Sequence, residues 1–181
     1  MLIAREKRKS NIAEYVLYMW QVEDLIRAHH FDINLIEENI ISQFEQPENI
    51  KHEIRDWYAN IIVMMHKEGL HEKGHLRIVQ GITDQMNDLH LKLLNQNNDG
   101  KYITYYNQAR LNIDELKSRL PDRSVSDVET CLDGLYGLLL MRLKGREVGK
   151  ETEAAMQTFS NLLAILSLRF KQLEEGELEF S

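Results

Sequence analysis

Apolar residues recur along this chain at intervals of three and four, the spacing that lines one face of an α-helix, and no stretch alternates as a half-buried strand would. The first such stretch runs from Asn11 to His30 (NIAEYVLYMWQVEDLIRAHH). At about 100° per residue, Val22, Tyr15, Ile26, Met19, Ile12, Val16 and Trp20 form a continuous apolar arc, with Glu23 and Arg27 inside it. A second helix is predicted over about Ile33 to Phe44, with Ile33, Ile36, Ile40 and Phe44 on its face and the breaker Gln46-Pro47 after it. From Pro47 to Glu68 the stripe is Ile50, Ile54, Trp57, Ile61, Met64 and Met65, with Gly69 as the cap. A fourth helix follows Gly74 (Ile78, Ile82, Met86, Leu89, Leu93) and stops in the polar run from Asn95 to Gly100, the strongest turn signal in the chain.

Tyr102, Tyr106, Ala109, Ile113, Leu116 and Leu120 then give a narrow seam, closed by Leu120-Pro121-Asp122. Ser126 and Glu129 form a capping box for a helix running to about Lys144. That sixth helix is apolar around most of its circumference, which predicts a central position. Gly134 and Gly137 lower its helix propensity and are expected to let a neighbour approach closely. After Gly145 and Gly149 a last helix carries Met156, Phe159, Leu163, Leu166, Phe170 and Leu173. The expectation is therefore all-α: a single-domain antiparallel bundle of about seven helices over residues 1–181, with a basic lead-in at 1–10 and an acidic tail at 174–181. No fixed-period repeat suggests a solenoid.

Composition narrows the function classes. With 43% hydrophobic and 28% charged residues the chain is that of a globular protein, and 181 residues can bury a core without disulfides or metal. A net charge of −7 argues against a nucleic-acid binder, which needs a basic face; Arg5, Lys7, Arg8 and Lys9 are a local exception, read as a solvated lead-in. Cys131, the single cysteine, excludes an intrachain disulfide and is expected to be a buried, inert thiol. The basic N-terminus is not followed by the apolar run of a secretory signal, and the apolar stretch near Leu135 to Leu143 falls short of the roughly 18 residues of a membrane span. A cytoplasmic protein is expected.

Two constellations carry candidate chemistry. His71-Glu72-Lys73-Gly74-His75 matches H-E-x-x-H, which on a helix sets two imidazoles one turn apart to hold zinc while the glutamate activates water. A catalytic zinc needs a third ligand, the extended pattern fails at Ile78 and Gly81, and Gly69 and Gly74 point to a loop. The pairs Glu68-x-x-His71 and Glu72-x-x-His75 echo di-iron bundles, but such pairs must come from different helices. The other constellation is Glu23, Asp24, Arg27 and His30. Its i, i+4 spacing brings Glu23 to Arg27 as a buried ion pair that fixes helix register or, in a functional reading, lines a pocket.

Tyr102, Tyr105 and Tyr106 read as the rim of a core, Trp20 and Trp57 as core, and Met64 and Met65 as packing; His52, His66 and His90 fall on different helices.

The wording from Met1 to Ala28, most specifically NIAEYVLYMWQVEDLIR from Asn11 to Arg27, resembles the opening of the bacterial domain-of-unknown-function family numbered four thousand nine hundred and twenty-four. The resemblance extends through the chain. It implies a stand-alone bacterial protein of about this length, and brings no activity, cofactor or catalytic residue with it.

Two functional expectations follow. The first is a non-enzymatic helical interaction or regulatory protein with a protein partner or a second copy of itself, held through a spare apolar face such as the last helix, and needing no cofactor. The second is a metal-dependent hydrolase or small-ligand binder using zinc at His71, Glu72 and His75, or a pocket at Glu23 and Arg27.

Overall fold

The computed structural model of the protein describes residues 2–95, 99–120, 124–178 and 180. Among them are eight α-helices, one 3-10 turn and no strand, so the all-α class follows the periodicity. Parts of two expected turns, residues 96–98 and 121–122, and residues 179 and 181 of the acidic tail lie outside the described residues. The chain divides into two compact units. One is drawn from the described residues up to Arg8 and from Glu14–Gly81, the other from Lys9–Ala13 and the described residues from Ile82 onward.

The first unit is built on α1 (Leu2–Ser10), α2 (Ile12–Ala28), α3 (Ile33–Asn39) and α4 (Glu48–Glu68), and ends in the first turn of α5 (Arg77–Asn95). The basic lead-in is itself helical: Ala4 is buried and Lys7 pairs with Glu14 at 2.7 Å, which adds one helix to the expected number. The second predicted helix stops early. After Asn39 the chain tightens into a 3-10 turn at Ile41–Gln43, which buries Ile41 beside Ile36 and leaves Ile33, Ile40 and Phe44 only half-buried. Arg55 of α4 holds α3 through Glu37 (2.8 Å) and Asn34 (3.2 Å).

Gly69 ends α4 as its sequence position predicts. It is left-handed (φ 72°), and the Leu70 N–H reaches back to the Met65 carbonyl at 2.9 Å. Trp20 lies in the core, but Trp57 is half-buried. Between α2 and α3, His30 and Phe31 are both left-handed (φ 54° and 62°), although neither is glycine. Each costs about 1–2 kcal/mol in that conformation, offset in part by packing of the Phe31 ring against His66 and His71.

The second unit contains the rest of α5 with α6 (Gly100–Arg119), α7 (Asp127–Leu143) and α8 (Lys150–Glu174). Helix α8 runs antiparallel to α6, as the pairs Asp99–Arg169 and Asn112–Thr158 show, and antiparallel to α7, as Gly134–Phe159 and Arg142–Glu153 show. The Ala13 N–H, in the open first turn of α2, donates to Ser167 Oγ at 3.2 Å.

The α5 stripe begins elsewhere than expected: Leu76 and Val79 are buried while Ile78 is 57% exposed, because the helix starts only at Arg77, with Leu76 as its capping residue.

Helix α7 departs most from expectation. Ser126 caps it by accepting the Glu129 N–H at 3.1 Å, and Val128, Cys131 and Leu132 are buried as predicted for a central helix. Beyond Gly134, however, Leu135, Leu138, Leu139, Leu140 and Met141 are only half-buried and Leu143 is 72% exposed. The helix is central for its first half only. Gly134 has the predicted role: a Cβ there would lie 2.9 Å from the Phe159 ring and 3.1 Å from Leu116. A Cβ on Gly137 would meet nothing within 4 Å.

Candidate functional site

The two constellations picked out in the sequence meet in the first unit. Trp20, Glu23 and Arg27 lie at i, i+3 and i+7 on α2 and so share one stripe. Against it lies the loop after Gly69 that carries His71-Glu72-Lys73-Gly74-His75. The Glu23 side chain is fully buried; it accepts from His75 Nδ1 at 2.7 Å and from the Leu76 N–H at 3.0 Å. The His75 ring stacks on Trp20 with centroids 4.3 Å apart and planes 16° from parallel. Arg27 donates through Nε to the Leu70 carbonyl at 3.2 Å, through Nη2 to the Gly74 carbonyl, and through Nη1 to Asp24 at 2.8 Å.

This corrects the expected register-fixing pair, because Glu23 and Arg27 do not bond each other. Each holds a different part of the same loop. The physical need is plain: a helix N-terminus and a loop between helices leave backbone donors and acceptors that must be satisfied. Glu23 takes the N–H of the residue that caps α5, and Glu68 takes the next one, Arg77, at 2.8 Å, both carboxylates lying where the helix dipole favours negative charge. The Arg27 fork takes two loop carbonyls. Gly74 is left-handed (φ 90°) and leaves little room beside Leu70, which explains a glycine there. His30 does not continue this face: α2 ends at Ala28, and His30 is exposed.

The zinc expectation required His71 and His75 one turn apart on a helix. The segment is a loop; His75 is engaged by Glu23 and Trp20, while His71 packs its ring against His66 and Phe31. Glu72 is exposed, and among the described residues no three histidine, cysteine or acidic side chains converge on a possible metal position.

The second unit holds a polar cluster that the sequence reading did not assemble. His90 of α5 and Tyr102 of α6, both buried, are joined at 2.6 Å between Nδ1 and the phenol oxygen. Tyr106 donates to Asp127 at 3.0 Å, and Lys117 donates to its other oxygen at 2.5 Å. His90 Nε2 faces the same carboxylate at 3.7 Å, beyond hydrogen-bond range. His90 and Lys117 hold Asp127 well below the usual carboxylate range despite its partial burial. Burial and the neighbouring Asp127 push Tyr106 up to about 12, and burial alone is the main cause that raises Tyr102.

Tyr102 is thus core rather than rim, while Tyr105 and Tyr106 lie at the boundary. The available signal was His90 standing beside Leu89 in the apolar stripe of its helix. Cys131 is fully buried, and burial raises its thiol far above the range in which a nucleophile ionises.

Chemically, both clusters hold backbone and neighbouring helices; Glu23, His90 and Tyr102 are sealed from solvent, while Asp127 is only partly buried. Two grooves of about 320 and 250 Å³ open elsewhere, one beside Arg5, Glu53, Asp56 and Trp57, the other beside Lys101, Tyr105 and Asn161; neither is lined by Glu23 or Arg27. No helix among the described residues is long and apolar enough to cross a membrane.

These features define an all-α helical protein whose two polar clusters tie its own loops and helices together. Its sequence matches the model of a domain of unknown function (DUF4924) over residues 1–177, and the chain belongs to that family. No curated protein and no solved structure matches it.

Proposed function

We propose that the protein is a helical interaction protein that pairs with a second copy of itself through the C-terminal half of α7. The observation that carries this reading is the apolar run Leu135–Leu143, left half-buried or exposed in a helix whose first half is core. The outward stripe is Asp133, Gly137, Leu140 and Lys144, spaced four, three and four residues apart, with Tyr136 and Leu143 beside it. It begins in an acid and ends in a base.

A two-fold antiparallel pairing centred between Leu138 and Leu139 sets Asp133 of each copy against Lys144 of the other, a self-complementary arrangement suited to an isologous dimer. Gly137, with open space where a Cβ would stand, lets the two backbones come close. The last helix is less suited to the role. Its apolar face is spent inward, with only Leu168 and Leu173 exposed among its large apolar residues.

The experiment is a charge exchange read by light scattering. Asp133→Lys and Lys144→Asp should each weaken the dimer, and the double variant should restore it. Equal weakening in all three variants would contradict the pairing.

A further inference from the structure

We propose that His66 and His71 form a two-histidine site for a zinc-class divalent metal ion, distinct from the H-E-x-x-H reading of the same segment. His66 stands in the last turn of α4 and His71 at the start of the following loop, and both side chains are exposed. Their ring centroids are 4.9 Å apart, with planes at 49°. Two imidazoles sharing one tetrahedral ion, each with a metal–nitrogen distance of about 2.0–2.1 Å, place their centroids about 5 Å apart. The observed centroid separation matches that spacing.

Two further features prepare the site. The loop is held from below by Glu23 on His75 and Leu76 and by Arg27 on the Leu70 and Gly74 carbonyls, so His71 is presented on an anchored segment. Phe31, held in a left-handed turn, lies 4.7 Å from the His66 ring and 5.2 Å from the His71 ring and covers one side of the pair. An apolar wall of this kind limits solvent access to a bound ion. Rings this close leave no space between them for an organic cation, so the pair fits a metal ion and not an aromatic cage. Water completes the coordination, since no third protein ligand converges there among the described residues.

The test is calorimetric titration of tag-free full-length protein with zinc chloride alone. One equivalent should bind; His66→Gln and His71→Gln should each weaken binding by about tenfold or more, and His52→Gln, an exposed histidine at the other end of α4, should not. Circular dichroism of the variants verifies that each is folded. The proposal is overturned if the wild type binds no zinc, or if His71→Gln removes binding that His66→Gln leaves intact.

Discussion

The second half of α7 is the more apolar in sequence, yet the first half is the better covered. From Val128 to Leu132 the helix is sealed by its neighbours and anchored at its start by Asp127, which gathers His90, Tyr106 and Lys117; from Leu135 to Leu143 the same kind of residue stands half-exposed. Gly134 marks the boundary: a Cβ there would press on Phe159 and Leu116, while one on Gly137, one turn on, would meet nothing within 4 Å. Hydrophobicity alone therefore says that a surface must be covered, not that this chain covers it. In the proposed pairing, the second half of α7 is the surface that a second copy covers.

The largest contrast is expected from truncating a leucine in each half. Leu132→Ala should cost about 3 kcal/mol of stability, as removal of a fully buried leucine does, whereas Leu143→Ala should leave the unfolding of dilute protein nearly unchanged. Comparable losses in urea melts would erase the distinction between the halves.

Next in size is Asp127→Asn, expected to cost about 1–2 kcal/mol at neutral pH through loss of charge-assisted bonds. The folded-state pKa of Asp127 is depressed, chiefly by His90 and Lys117, so its contribution is complete above the unfolded carboxylate value of about 4 and fades as pH falls further toward the folded value. The difference between wild type and variant should shrink below that pH in parallel thermal melts; a constant difference would remove the charge from the account.

The smallest effects separate the glycines. Gly134→Ala should destabilise despite better helix propensity, because Phe159 and Leu116 must move, while Gly137→Ala should stabilise dilute protein by about 0.5–1 kcal/mol. Stabilisation by both would mean that the α7–α8 contact is looser than it stands.

Helix positions were legible because turn chemistry and periodicity agree: Pro47, Gly69, Ser126 and Gly149 stand at the ends where their chemistry places them. Burial of Glu23 was legible too, since charges inside an apolar arc have nowhere else to go. Its partners were not, because His75 lies 52 positions away in a loop that only the fold delivers. The tempting i, i+4 partner, Arg27, is drawn instead to loop carbonyls. The Asp127 cluster stayed hidden for a similar reason: its members come from three helices, His90 from α5, Tyr102, Tyr106 and Lys117 from α6, and Asp127 from the start of α7.

Sedimentation equilibrium of the wild-type chain against Leu140→Glu, from about 1 to about 100 µM, tests the central claim most directly. The account predicts wild-type protein that sediments at twice its 21.3 kDa chain mass in the upper part of that range, and a folded monomeric variant. Wild-type protein that remains at 21.3 kDa throughout would contradict it.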